Sequence, residues 1–141
     1  MPFKRILIAV DFSSDSVEAF RIALEMSPAP SASLHLLHVI EARPSVPIDV
    51  ASEIVEEANA AIGRLVASCG PVPDAADLTT EIGSGEASDE IVSGARDWGA
   101  DLIVLGAKGA ASLESIIVGG TAEHVMQRAP CSVLVARRRE S

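Results

Sequence analysis

Five short apolar runs punctuate the chain: Ile6–Val10, Leu34–Ile40, Ala76–Ile82, Leu102–Leu105 and Ser132–Ala136. Most carry little charge and are rich in branched residues, as strands are when a parallel sheet is covered on both faces; Ala76–Ile82 is less regular. Between them the apolar positions change to helical spacing. Val17, Phe20, Ala23 and Leu24 form one stripe, Ala51, Ile54, Val55, Ala58, Ile62 and Leu65 a second, Ala87, Ile91, Ala95 and Trp98 a third, and Ala122, Val125, Met126 and Ala129 a fourth. Ser14 and Asp15 offer cap oxygens for the first helix and Asp49 for the second. Pro28 and Pro30, Cys69-Gly70-Pro71, Gly99 and Pro130 supply stops. Five strands alternating with four helices predict an α/β fold: a single-domain, open, mostly parallel five-stranded sheet with helices on both faces, Rossmann-like, spanning residues 1–141.

Functional loops in such sheets collect at the carboxyl ends of the strands. Asp11 stands at that end of the first strand. The fourth strand ends on Gly106 and is followed by Gly109, and Gly119-Gly120-Thr121 opens the last helical stripe. Glycines there let backbone N–H groups approach an anion, and a helix N-terminus adds further N–H groups and a favourable dipole. Ordinary turn geometry also needs glycine, so the residues alone leave both readings open. Val39, near the second strand's exit, fits either the floor of an adenine site or packing against the first helix. Gly83-Ser84-Gly85 fits either a tight strand-to-helix connection or a backbone approach to a ligand from the facing side, and Lys108 either a phosphate contact or a solvent-facing loop position.

Gly106-Ala107-Lys108-Gly109, nine residues, then Gly119 resembles the glycine signature of the ATP-binding branch of the universal stress protein family. ILIAVDFS at Ile6–Ser13, LLHVI at Leu36–Ile40 and APCSVLVAR at Ala129–Arg137 extend the likeness over nearly the whole chain. The resemblance implies a cytoplasmic, homodimeric nucleotide-binding protein of stress response or regulation, with strand order 3-2-1-4-5. By position, Asp11 and Val39 resemble adenosine-side contacts, Leu105 and Gly106 the wall beneath the ligand, and Gly109, Gly119 and the backbone at Gly120 phosphate contacts. The departure is Gly120, where the signature has Ser or Thr; Thr121 follows and could supply the hydroxyl. The implied ligand is ATP, with Mg2+ as an accompanying ion that Asp11 could coordinate. The alternatives are a stress protein that acts through an unidentified protein partner without retaining ATP, and a low-turnover ATPase.

Composition narrows the partners. The formal net charge is −9 and aromatic residues make up 3% of the chain, which opposes both attraction to nucleic acid and base stacking. Arg137-Arg138-Arg139 is the compact basic cluster and reads as a soluble tail. The apolar stretch after Lys4 and Arg5 reaches only Val10, too short for a secretory segment or membrane span. Cys69 and Cys131 lack metal-ligand or CxxC spacing and read as reduced thiols. His35 and His38, three apart, fall on opposite faces of an extended strand, which disfavours a shared metal site. No GxGxxG follows the first strand, no GxxxxGK[ST] is present, and no Ser/His/Asp set assembles, so dinucleotide, Walker-type and triad chemistry find no support. Catalytic residues are not assigned.

Overall fold

The computed structural model describes residues 3–26, 32–41, 47–69, 77–109 and 118–139. The elements follow in the order β1 (Arg5–Ala9), α1 (Ser14–Met26), β2 (Ser33–Ile40), α2 (Ile48–Ser68), β3 (Asp77–Ser84), α3 (Ala87–Trp98), β4 (Leu102–Gly106), α4 (Gly120–Arg128) and β5 (Ser132–Ala136). All five strands lie in one parallel sheet of order β3-β2-β1-β4-β5. Ala9 pairs with Leu37 on one side and Leu105 on the other, and Gly106 with Ala136. The exits of β1, β2 and β4 therefore share one rim, and the sheet's direction of connection reverses between β1 and β4 there.

Successive side chains along a strand point to opposite faces, so each central strand feeds two cores. Ile6, Ile8, Leu34, Leu36 and Val104 pack with Phe20 of α1 and Ile62 of α2. Leu7, Leu37, Ile103 and Leu105 pack with Ile91 of α3 and Val125 of α4. Nearly all of these are fully buried, and burial of such a side chain is worth about 1.5–3 kcal/mol before conformational entropy is counted. Cys69 borders the first core and Cys131 the second, and both are free thiols. Burial, reinforced by the Asp101 carboxylate, pushes the Cys131 thiol above its ordinary range.

Several local expectations need correction. Helix α1 is capped by Ser13, whose hydroxyl accepts from the Ser16 N–H at 3.3 Å; Ser14 and Asp15 are already helical. Pro47 occupies the N-cap position of α2 without a side-chain cap bond, leaving Asp49 in the first turn. The α2 stripe is buried only from Ala58 onward; Ile54 and Val55 are 40% and 41% exposed. Met126 of α4 is likewise 46% exposed. Strand β3 continues through Gly83 and Ser84, so the turn to α3 falls on Gly85, at φ 139°, and the N-cap residue Glu86. Val39 faces the α3 and α4 side, not helix α1.

His35 and His38 separate as the strand period requires. His35 packs on Trp98, and the Arg5 guanidinium lies 4.2 Å from the Trp98 ring centre. His35 also joins Thr79 at 2.6 Å and Glu81 at 2.9 Å, tying β2 to β3. Trp98 is thus an anchor at the sheet's opposite end from the shared rim. The segment between Ala110 and Ile117, which covers most of the long loop at Lys108–Ile116, lies outside the described residues.

Candidate functional site

The carboxyl-end rim opens into a cleft of about 350 Å³. That volume lies within the range of small-molecule sites, and its position beside the topological switch is where open α/β sheets hold ligands. Asp11, Val39, Leu105, Gly106, Gly109, Gly119, Gly120 and Thr121 all line it. The backbone therefore brings together the eight residues that the family resemblance points to, while Gly83, Ser84 and Gly85 are not among the lining residues. Val10, Ser16, Glu41, Ala87, Ile91 and Lys108 also line it and carried no distinguishing sequence signal, except that Lys108 lies between the glycines.

Asp11 is fixed by its neighbours. Ser13 donates to its Oδ1 through the backbone N–H at 3.0 Å and through the hydroxyl at 2.5 Å. Between them Phe12 adopts φ 67°, a left-handed conformation costly for a bulky residue, and its ring packs on His38 at 4.6 Å. His38 Nδ1 donates to the Val10 carbonyl at 2.8 Å. This strained turn sets the direction of Asp11, and nothing in the composition of DFSS marks Phe12 for it.

The glycines serve different purposes. A Cβ on Gly106 would sit 2.7 Å from the Ser16 nitrogen and 2.8 Å from the Asp15 carbonyl carbon, so Gly106 lets the start of α1 close onto β4. A Cβ on Gly109 would sit 2.8 Å from Asp11 Oδ2, so Gly109 lets that carboxylate and the loop share the cleft wall. Gly119 gives its N–H to the Ala107 carbonyl at 2.6 Å, which closes the loop's base and spends that donor within the protein. Gly119 is the N-cap of α4, with no side-chain cap bond. The N–H groups of Gly120, Thr121 and Ala122 therefore stand in the helix's first turn without intrahelical acceptors. A Cβ on Gly120 would meet nothing within 4 Å.

The wall is apolar toward Val39, Leu105 and Ile91 and polar toward Asp11, Lys108 and the α4 N-terminus. An apolar slot beside first-turn N–H groups can take a flat ring at one end and an anionic group at the other. Glu86, one residue before the cleft-lining Ala87, caps α3: its carboxylate accepts from the Ser88 hydroxyl at 2.7 Å, from the Ser88 N–H at 3.2 Å and from the Asp89 N–H at 2.9 Å. The Ser88 hydroxyl foremost, then the Asp89 N–H, holds the Glu86 carboxyl below the usual carboxylate range. Among the described residues no group of three or more His, Cys, Asp or Glu side chains is placed to hold a metal ion, and no helix is long and apolar enough to cross a membrane.

The fold and cleft define a class: an open, doubly wound α/β domain with a ligand-sized crevice at the strand 1/strand 4 switch. The chain belongs to the universal stress protein family, whose sequence profile matches residues 2–137. A universal stress protein of Methanocaldococcus jannaschii is 30% identical over 146 aligned positions, covering 96% of this chain and 83% of that one. The solved structure of the hypothetical protein MJ0577 is 27% identical, with a TM-score of 0.88 and complete coverage of both chains. Two more distant universal stress proteins share the fold: one solved with cAMP, at 20% identity, TM-score 0.64 and coverage of 96% and 98%, and one from Archaeoglobus fulgidus solved with dAMP, at 22%, 0.67 and coverage of 96% and 99%.

Proposed function

We propose that this universal stress protein binds ATP in the rim cleft as a regulatory ligand. The reading rests on one observation: an apolar slot at Val39 and Leu105 runs into a glycine-flanked helix N-terminus whose first-turn donors have no intrahelical acceptor. Adenine against Val39 and Leu105, ribose beside Asp11, and phosphates near Gly109, Gly120 and Thr121 would use each part of that wall. Gly119 contributes through the loop closure it makes with Ala107. The relatives solved with cAMP and dAMP support adenine nucleotides as the ligand class.

Magnesium fits the donor set in a limited way. Mg2+ commonly takes one or two carboxylates together with nucleotide phosphates, and Asp11 would be the protein's ligand. The chain's own contribution is to bind and orient the nucleotide through backbone donors. Donors of this kind stabilise phosphate without supplying a base for attacking water, so sustained hydrolysis is expected to be slow or absent.

Mild purification followed by acid extraction and mass spectrometry tests the reading. Adenine nucleotide recovered in proportion to protein is the expected result. A ligand-free protein that also fails to take up added ATP would contradict it, and ADP produced through many turnovers would move the chain into the ATPase class.

A further inference from the structure

Asp15 sits in the first turn of α1, yet it does not cap that helix; Ser13 does. Its side chain is buried, at 8% exposure, and both oxygens go to other parts of the chain. Oδ2 accepts from the Lys108 N–H at 3.2 Å, and Oδ1 from the Arg138 N–H at 2.7 Å. A buried carboxylate is costly unless its hydrogen bonds are made, and two backbone donors and a helix N-terminus meet that requirement here. The consequence is a single side chain that joins the glycine loop after β4 to the segment leaving β5.

The loop is held at both peptide planes that flank Lys108. The Ala107–Lys108 plane is fixed by Asp15 at its N–H and by the Gly119 N–H at its carbonyl. The Lys108–Gly109 plane has its carbonyl 3.2 Å from the Ser13 hydroxyl, whose single proton is shared with Asp11 Oδ1, while the Ser13 N–H holds Asp11 independently at 3.0 Å. The cleft acid, the loop and the β5 exit thus form one hydrogen-bonded series: Asp11, Ser13, Lys108, Asp15, Arg138. In the sequence Asp15 offers only a cap oxygen and Arg138 lies in a basic tail, and no local pattern connects them.

We infer that Asp15 is a positioning residue for the nucleotide loop and couples occupancy of the cleft to the chain leaving β5. The inference rests on the ATP reading above for its ligand, but its Lys108-to-Arg138 link exists without ligand. A nucleotide that settles the loop tightens the Asp15 contact, and whatever orders the β5 exit tightens it in return, because coupling between two sites is reciprocal.

Residue-resolved amide hydrogen exchange on the full chain tests this, using D15N, which keeps the shape but loses one acceptor, and R138P, which removes the distant N–H donor, read against R138A, which loses the same side chain but keeps that N–H. Without ligand, R138P should speed exchange at the Lys108 amide about tenfold, and D15N should speed it at both Lys108 and Arg138. With saturating ATP, the wild-type Arg138 amide should slow, whereas in D15N the loop amides should slow without Arg138 following. D15N should also bind ATP about tenfold more weakly. Unchanged Lys108 exchange in R138P, or an undiminished ATP response at Arg138 in folded D15N, overturns the coupling. A wild type that shows no ATP response anywhere removes the nucleotide reading instead, and the ligand-free comparison still decides the link.

Discussion

At residue scale the sharpest contrast is between Gly109 and its neighbour Lys108. A side chain at Gly109 would press on Asp11 Oδ2, 2.8 Å from the nearest added atom, and fill the place where loop and carboxylate meet. Lys108 contributes a charge to the rim, but its backbone is what Asp15 and Ser13 hold. G109V should therefore cost ATP affinity at least about tenfold, or 1.4 kcal/mol, and K108A less, as read by calorimetry on folded variants. Gly120 offers the opposite case. The space around it is open, so G120S should fold as well as the wild type, gain a few tenths of a kcal/mol in helix propensity, and bind ATP at least as tightly. A weaker-binding G120S with an unchanged melting temperature would place the phosphates elsewhere. Gly106 belongs to neither class: G106A should destabilise by about 1–3 kcal/mol through the clash with α1, measured by denaturant unfolding.

At element scale, α3 makes a prediction about pH. Glu86 caps it as a carboxylate, and its folded-state titration lies below the ordinary Glu value because the Ser88 hydroxyl and the Asp89 N–H favour the charged form. A depressed folded value means the stabilisation is fully present above the unfolded Glu range and is lost as pH falls through the lower folded value. E86A should thus cost about 0.5–2 kcal/mol at neutral pH, the range for loss of a cap, with the difference from wild type shrinking toward pH 3 in thermal melts. A difference that stays constant with pH would mean that the carboxylate is not the cap. The elements themselves were legible because strand and helix periods differ: β5 begins and ends where its apolar run does, and Gly99, left-handed at φ 78°, closes α3 as expected. The exposed half of α2 was not legible. Its stripe repeats without a break from Ala51 to Leu65, and periodicity cannot report that burial begins only at Ala58. Caps shifted for a related reason, since Ser13, Ser14 and Asp15 all carry suitable oxygens and only the packing of α1 under Gly106 selects among them.

At the scale of the whole molecule, the site is a product of strand order. Asp11 and Gly106 meet because β1 and β4 are neighbours with Ala9 opposite Leu105, and that order came from the family resemblance, while hydrophobic periodicity supplied only the number and kind of elements. The eight residues that line the cleft were legible because they lie at strand exits, in the glycine loop after β4 or at the start of α4, which chain position reveals; Phe12 and Asp15 were missed because their roles depend on contacts with His38, Lys108 and Arg138 that no local pattern encodes. Strand β5 ends the sheet with an apolar, half-buried run, and a homodimer that covers this edge is the expected assembly. Sedimentation should give a dimer mass, and monomers persisting at high concentration would count against it. The most direct measurement of the central claim is a calorimetric titration of the purified chain with ATP, run beside folded G109V. Saturable binding at one site per chain, lost or strongly weakened in G109V, is the predicted result; no binding, or equal affinity in the two proteins, would contradict an ATP site in the rim cleft.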